Sequence, residues 1–133
     1  MKENVKLLIV EDDEATNYIY AYTLRKIGFK GKFETVENGE QAIDFILGTQ
    51  DIPGKERFKP DIIFLDINMP RMNGFEFLEE LKKGTQDIPS IYMLTNSLNP
   101  EDRNLADSHK EIKEFLGKPV NEDTLKRVLS ENF

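Results

Sequence analysis

Cysteine and tryptophan are absent from this 133-residue chain, and histidine occurs once. Without cysteine there is no disulfide framework, no thiolate metal site and no thiol nucleophile. A chain that needs no disulfide suits a reducing compartment, and the cytoplasm is the expected location. The single histidine, His109, lies in polar "DSHKE" with no clustered partners for a metal, so it is expected at the surface. Basic residues are also short, 18 against 25 acids, for a formal net charge of −7. That balance argues against a phosphate-backbone footprint, and no nucleic-acid partner is expected. No apolar run approaches the about 20 residues of a membrane span. The N-terminus, "MKENVKLLIVEDD", has too brief an apolar stretch for a signal peptide, so no membrane attachment is expected.

What is present is a regular alternation. Four short apolar runs read as strands: "VKLLIV" (5–10), "KFETVE" (32–37), "DIIFLD" (61–66) and "SIYMLT" (90–95), with a briefer fifth, "EFLG" (114–117). Between them the spacing predicts helices over 14–27, 39–47, 74–83 and 121–130, and "NPEDRNLA" (99–106) reads as one more, opened by Asn99 with Pro100 at its first position. In the first helix Thr16, Ile19, Tyr20, Thr23, Leu24 and Ile27 form the expected core stripe. Strands alternating with helices indicate a parallel sheet covered on both faces, and residues 7–10, 62–65 and 91–94 have the continuous apolar character that such strands need. The length fits one α/β domain. The segment "LGTQDIPGKERFKP" (47–60) is expected to be an extended surface loop, a tolerated insertion.

In open α/β sheets the site lies beyond the carboxyl ends of the strands. There the first strand ends in Glu11, Asp12 and Asp13, the third in Asp66, the fourth in Thr95 followed by Asn96 and Ser97, and the fifth in Lys118 followed by Pro119. Any one of these has an ordinary explanation as a turn residue, a helix cap or a solvated charge. Four such elements at the ends of four strands are hard to explain as caps. Clustered carboxylates repel, and a hard divalent cation such as Mg²⁺ resolves that with oxygen ligands. A lysine across the site suits phosphoryl oxygens, and a threonine hydroxyl can donate to one. The first strand–helix turn carries acids where a dinucleotide site needs "GxGxxG". The pattern points to one phosphoryl group on Asp66.

The pieces "LLIVEDD", "PDIIFLDINMPRMNG", "IYMLT" and "FLGKP" resemble, in order and at near-family spacing, the receiver domain of two-component response regulators across essentially the whole chain. The resemblance is to stand-alone, chemotaxis-regulator-like receivers. It implies a doubly wound, flavodoxin-like fold of five parallel strands in the order 2-1-3-4-5 with five helices. It also implies Mg²⁺-dependent phosphorylation, with Mn²⁺ able to substitute. Asp66 matches the phosphoacceptor, Lys118 the phosphate-pairing lysine, and Thr95 the switch hydroxyl. Asp12 matches the direct metal-binding acid, Glu11 its water-mediated neighbour, and Asn68 the residue that offers its backbone carbonyl to the metal. Phe115 matches the rotating aromatic, and the Lys118–Pro119 bond one that is typically cis. The segment from Thr95 to Lys118 lacks the small Ala/Gly-rich turn common in the family, and Asn96 is bulkier than the usual residue at its position.

These residues imply a phospho-acceptor switch that takes its phosphoryl group from a histidine kinase or histidine phosphotransfer protein and signals by contact with a downstream protein. Residues 1–133 are read as the receiver domain with no output domain, and not as a turnover enzyme. The alternative is a haloacid-dehalogenase-like phosphatase, which also forms an aspartyl phosphate. It wants a second Asp two residues after the nucleophile, and that position is Asn68, which cannot protonate a leaving group. Tyr18 and Tyr22, four apart and off the core stripe, are the expected docking residues for the donor together with Pro119.

Overall fold

A computed structural model describes residues 4–69, 71–96, 109–118 and 120–131. The elements run β1 (Lys6–Val10), α1 (Glu14–Lys26), β2 (Lys32–Val36), α2 (Gly39–Leu47), β3 (Ile62–Asp66), α3 (Gly74–Gly84), β4 (Ser90–Thr95), β5 (Ile112–Gly117) and α4 (Glu122–Glu131). The strands form one parallel sheet in the order β2-β1-β3-β4-β5. The order reverses after β1, and that reversal leaves a crevice at the carboxyl edge.

Period-2 alternation explains why the central strands are apolar throughout. Leu7, Ile9, Ile62, Phe64, Tyr92 and Leu94 face one way and pack with Tyr20 and Leu24 of α1 and Leu125, Val128 and Leu129 of α4. Leu8, Val10, Ile63, Leu65, Ile91 and Met93 face the other way, onto Ala42 and Phe45 of α2 and Phe77, Leu78 and Leu81 of α3. Both faces are covered, so the polar residues of these strands stand only at their ends, Lys6, Asp66, Ser90 and Thr95. Short polar caps start the helices. Asp13, Asn38 and Asn121 accept backbone N–H groups from Thr16, Gln41 and Thr124, and Asn73 with Glu76 forms a reciprocal capping box.

Three expectations need correcting. Ile19 does not belong to the core stripe of α1: it is 48% exposed, and Tyr20 and Leu24 carry the packing. The sheet meets a narrower arc of the helix than the i, i+3, i+4 pattern suggested, and Ile19 sits just outside it. His109 is not a surface residue. It is 9% exposed, its ring stacks on Phe75 at 5.9 Å, Nε2 lies 3.5 Å from a Glu79 carboxylate oxygen, and Nδ1 lies 3.4 Å from Lys82 Nζ. Its chain neighbours are polar, but the turn into β5 lays the ring on the first turns of α3. β5 itself begins two residues earlier than expected, at Ile112. The helix expected over 99–106, Ser97 and Pro119 lie outside the described residues. The 47–60 segment runs over the surface, yet it is pinned there. Phe58 packs edge-on against Phe45 at 5.4 Å, Lys55 Nζ donates to Thr35 Oγ1 at 3.2 Å, and Lys32 pairs with Glu56 at 2.6 Å, which shields the edge strand β2.

Phe64 is fully buried two residues before Asp66. Phe64→Ala should lower unfolding free energy by about 3–5 kcal/mol, the usual cost of an aromatic-sized cavity, measured by urea titration. A loss below about 1 kcal/mol would mean the core under Asp66 is loosely packed.

Candidate phosphoryl-acceptor site

The four strand ends converge as expected. β3 pairs with β1 and β4, which places Asp66 opposite Leu94, and Thr95 pairs in turn with Gly117 of β5. The Lys118 backbone N–H donates to the Thr95 carbonyl at 2.9 Å, which continues the ladder one step and aims the lysine across the sheet edge. Its ammonium lies 2.7 Å from Asp66 Oδ2 and 2.8 Å from Glu11 Oε1. All three groups are well shielded, with side-chain exposures of 15% for Lys118 and Asp66 and 3% for Glu11. Burial alone would pull the Lys118 ammonium down. Its hydrogen bonds to Asp66 and Glu11 outweigh that and hold it above its ordinary value.

Backbone groups hold the remaining oxygens. The Asn68 N–H donates to Asp66 Oδ1 at 3.0 Å and the Asp13 N–H to Glu11 Oε2 at 3.3 Å. The turn after Asp66 is tight: a Cβ on Gly74 would meet Met93 Sδ at 2.9 Å and the Asp66 carbonyl oxygen at 3.2 Å, so only glycine lets α3 begin so close to β3. Arg71 in the same turn takes φ 68°, a left-handed conformation that costs a bulky residue of order 1–3 kcal/mol. Asp12 is exposed, and Asp13 caps α1; its hydrogen bonds from Thr16 hold its carboxyl below the usual range.

Glu11, Asp12, Asp13, Thr16, Ile19, Asp66, Asn96 and Lys118 line an open cavity of about 420 Å³. Asn96 stands on its wall. Thr95 is buried, at 6% exposure. Met93, the partner of Phe115 in the ladder, lies two residues before Thr95, so Thr95 and Phe115 share one face of the sheet. Phe115 is half-buried against the α2–α3 core. Tyr18 and Tyr22 are 71% and 57% exposed on α1, and Ile19 between them reaches the cavity wall. One inward side chain of α1, Asn17, escaped the reading of the sequence. The Asn17 amide donates to the Glu11 carbonyl at 2.9 Å, and nothing in the spacing marks a helix asparagine as doing so.

The donor set suits a divalent cation. Glu11, Asp12 and Asp66 offer hard carboxylate oxygens, and with Asp13 four acids line the cavity beside one ammonium. Among the described residues no three acids form a ready-made chelate, because Lys118 stands between Glu11 and Asp66.

At the switch point of this open parallel sheet a partly buried carboxylate, a bridging lysine and an acid cluster meet. The response regulator receiver domain profile matches residues 7–130, and the chain belongs to that family. It is 30% identical over 127 residues to Protein PilH of Pseudomonas aeruginosa, covering 94% of each chain. A two-component response regulator from Legionella pneumophila superposes with a TM-score of 0.81 at 30% identity, over 97% of this chain and 98% of the other. The receiver domain of a sensor histidine kinase from Pseudomonas aeruginosa, which has a magnesium ion coordinated in its active site cleft, shares the fold with a TM-score of 0.75 at 22% identity, over 96% of each chain. Receiver domains are phospho-acceptor switches of two-component systems that receive their phosphoryl group from histidine kinases and work with Mg²⁺; they are signalling domains, not turnover enzymes. The dehalogenase-like alternative finds no support.

Removing one member of a buried ion cluster leaves the others uncompensated. Lys118→Ala should destabilise the metal-free protein by about 3 kcal/mol, and millimolar Mg²⁺ should restore part of that loss by standing in for the ammonium. Thermal melts with and without Mg²⁺ check this. The raised folded-state value also fixes a sign: the lysine's stabilisation is complete below about pH 10.4, its ordinary value, and fades as pH climbs through the higher folded value.

Proposed function

We propose that Asp66 is the phosphoacceptor. One of its carboxylate oxygens attacks the phosphorus of a phosphohistidine, the P–N bond breaks, and the electron pair leaves with the imidazole. The observation that carries this reading is the Lys118 ammonium 2.7 Å from Asp66 and 2.8 Å from Glu11, at the rim of an open acidic cavity. Lys118 is already in reach of the place where phosphoryl oxygens would form, and Thr95 stands on the neighbouring strand to donate its hydroxyl. Asp12, Glu11, Asp66 and the backbone carbonyl of Asn68 would hold Mg²⁺, or Mn²⁺ in its place, which supplies the charge compensation that a phosphoryl group requires when bound among acids. Phosphorylation biases Thr95 and Phe115 between two arrangements, and the output is contact with a downstream protein. The net charge of −7 supports a protein target over nucleic acid. No helix among the described residues is long and apolar enough to cross a membrane, which is compatible with a cytoplasmic switch.

The donor docks on the outer face of α1, on the reading that best uses Tyr18, Ile19 and Tyr22. They are the exposed large hydrophobics among the described residues, and Ile19 joins the patch to the cavity that holds Asp66. Pro119, expected beside them, lies outside the described residues.

Incubation with acetyl phosphate and Mg²⁺ should add one phosphoryl mass increment, and Asp66→Asn should abolish it. A variant that still gains the increment would place the acceptor elsewhere. Tyr18→Ser combined with Tyr22→Ser should slow transfer from a phosphorylated donor protein by about tenfold or more, the effect of losing aromatic contacts at an interface, while acetyl phosphate labelling stays at the wild-type rate. Equal slowing with both donors would make the tyrosines structural and sink the docking assignment.

A further inference from the structure

The two acids that follow β1 are held very differently. Glu11 is 4% exposed, and its side chain is fixed by Lys118 at 2.8 Å and by the Asp13 N–H at 3.3 Å. Asp12 is exposed and borders an open cavity on either side, one shared with Asp66 and Lys118, the other with Glu37 and Lys55. Among the described residues no hydrogen bond or ion pair holds its carboxylate. Where that carboxylate points is therefore set by the backbone that leads into it.

That backbone has one unusual support. The pairing of β1 with β3 ends at Val10, so the Glu11 carbonyl lies past the last rung of that ladder. Its partner is a side chain: Asn17 Nδ2 donates to it at 2.9 Å, reaching back from the fourth residue of α1. The Glu11 N–H is held separately, by the Val36 carbonyl at 2.9 Å. Rotation of the Glu11–Asp12 peptide would break the Asn17 bond and swing Asp12, while leaving the Glu11 N–H in place.

Folding alone does not select Asn17. Asparagine is a poor helix former because its amide competes for backbone groups. Its Oδ1 is buried with no hydrogen-bond partner among the described residues, which ordinarily disfavours the folded state. Alanine at position 17 would avoid both costs. What the amide achieves instead is a fixed peptide between the two acids.

We propose that Asn17 is a positioning residue for the divalent cation, locking the Glu11–Asp12 peptide so that Asp12 is presented to the metal in advance. This rests on the reading of Asp66 as acceptor and Asp12 as a cation ligand. Asn17 itself touches neither the metal nor the phosphoryl group. Fixing Asp12 beforehand reduces the ordering required when the cation enters, so Asn17 governs how much Mg²⁺ is needed. Once Mg²⁺ saturates, Asp12 is in place with or without the amide, and transfer to Asp66 runs at the same rate.

The test labels the full chain with acetyl phosphate over a Mg²⁺ series and follows intact mass. Calorimetry measures Mg²⁺ binding without acetyl phosphate. Asn17→Ala improves helix propensity, and Asn17→Leu fills the side-chain space without a donor, so both should melt cooperatively near the wild-type temperature. Each should raise the half-saturating Mg²⁺ concentration, and the calorimetric Kd, by about three- to tenfold, the factor one net hydrogen bond converts to. The rate at saturating Mg²⁺ should stay at the wild-type value. If the wild type fails to label, or labels without Mg²⁺, the reading of the site falls and takes this proposal with it. If the wild type labels with Mg²⁺ and the variants share its half-saturation, that reading stands and the positioning role is overturned. A lower rate at saturation that follows a lowered melting temperature, with half-saturation unchanged, also overturns it, since that is what a purely structural role produces.

Discussion

The contact on which the rest of the site depends is the Lys118 ammonium held between Glu11 and Asp66, at 2.8 and 2.7 Å. At an effective dielectric near 20 each such contact represents about 6 kcal/mol of gross attraction. Desolvating one buried and two partly buried ions takes back much of that, so the net contribution to stability is small. The arrangement is therefore better understood as poised than as strong. A lysine whose attraction and desolvation nearly cancel can exchange one oxygen partner for another at little cost. Two carboxylates on one ammonium also leave the site short of positive charge, which is the condition under which a divalent cation enters.

Such a cluster needs a mount that does not yield. The sheet supplies it by burying β1, β3 and β4 on both faces, so that Asp66 ends a strand whose preceding four residues are fully enclosed. A carboxylate at that place cannot relax away from its neighbours by bending its strand. Gly74 then lets α3 start against the Asp66 carbonyl, and the Asn68 N–H fixes one carboxylate oxygen while the other faces Lys118. The rigidity is apolar and the chemistry polar, and the two meet within one residue of chain.

This division explains what could be read from the sequence. Continuous apolar runs ending in a polar residue are a direct imprint of a parallel sheet covered on both sides, so the strand ends at Glu11, Asp66 and Thr95 were legible, while β5 before Lys118 was a weaker signal. What was not legible depended on contacts made across the fold. His109 sits among polar chain neighbours, and only the approach of the turn before β5 to α3 puts its ring on Phe75. Ile19 fits a helical core stripe by spacing alone, but the width of the buried arc is set by the sheet beneath, which spacing does not record. The 47–60 segment looked like an insertion from its composition. Its Phe58 and Lys55 find partners on α2 and β2 that no local pattern announces.

α1 gathers these threads because it is amphipathic in an unusual sense. Its outer face carries Tyr18, Ile19 and Tyr22 into solvent, a loss of hydrophobic burial that the fold does not recover within the described residues. Its inner face carries Asn17 and Tyr20 into partly or fully buried surroundings, where polar groups are disfavoured. Each face runs against what folding alone selects: Ile19 on one lines the cavity wall, and Asn17 on the other holds the carbonyl of Glu11. Local choices that conflict with the global fold concentrate at functional sites, and here they concentrate on one helix. On the proposed reading, a donor that covers the outer face also meets the acidic rim formed by Asp12 and Asp13. Like charges at such a rim slow encounter and raise its energy, so the surface around the donor's histidine must be neutral or basic. On that reading the apolar patch would supply contact area, and the acid rim would exclude partners of the wrong charge.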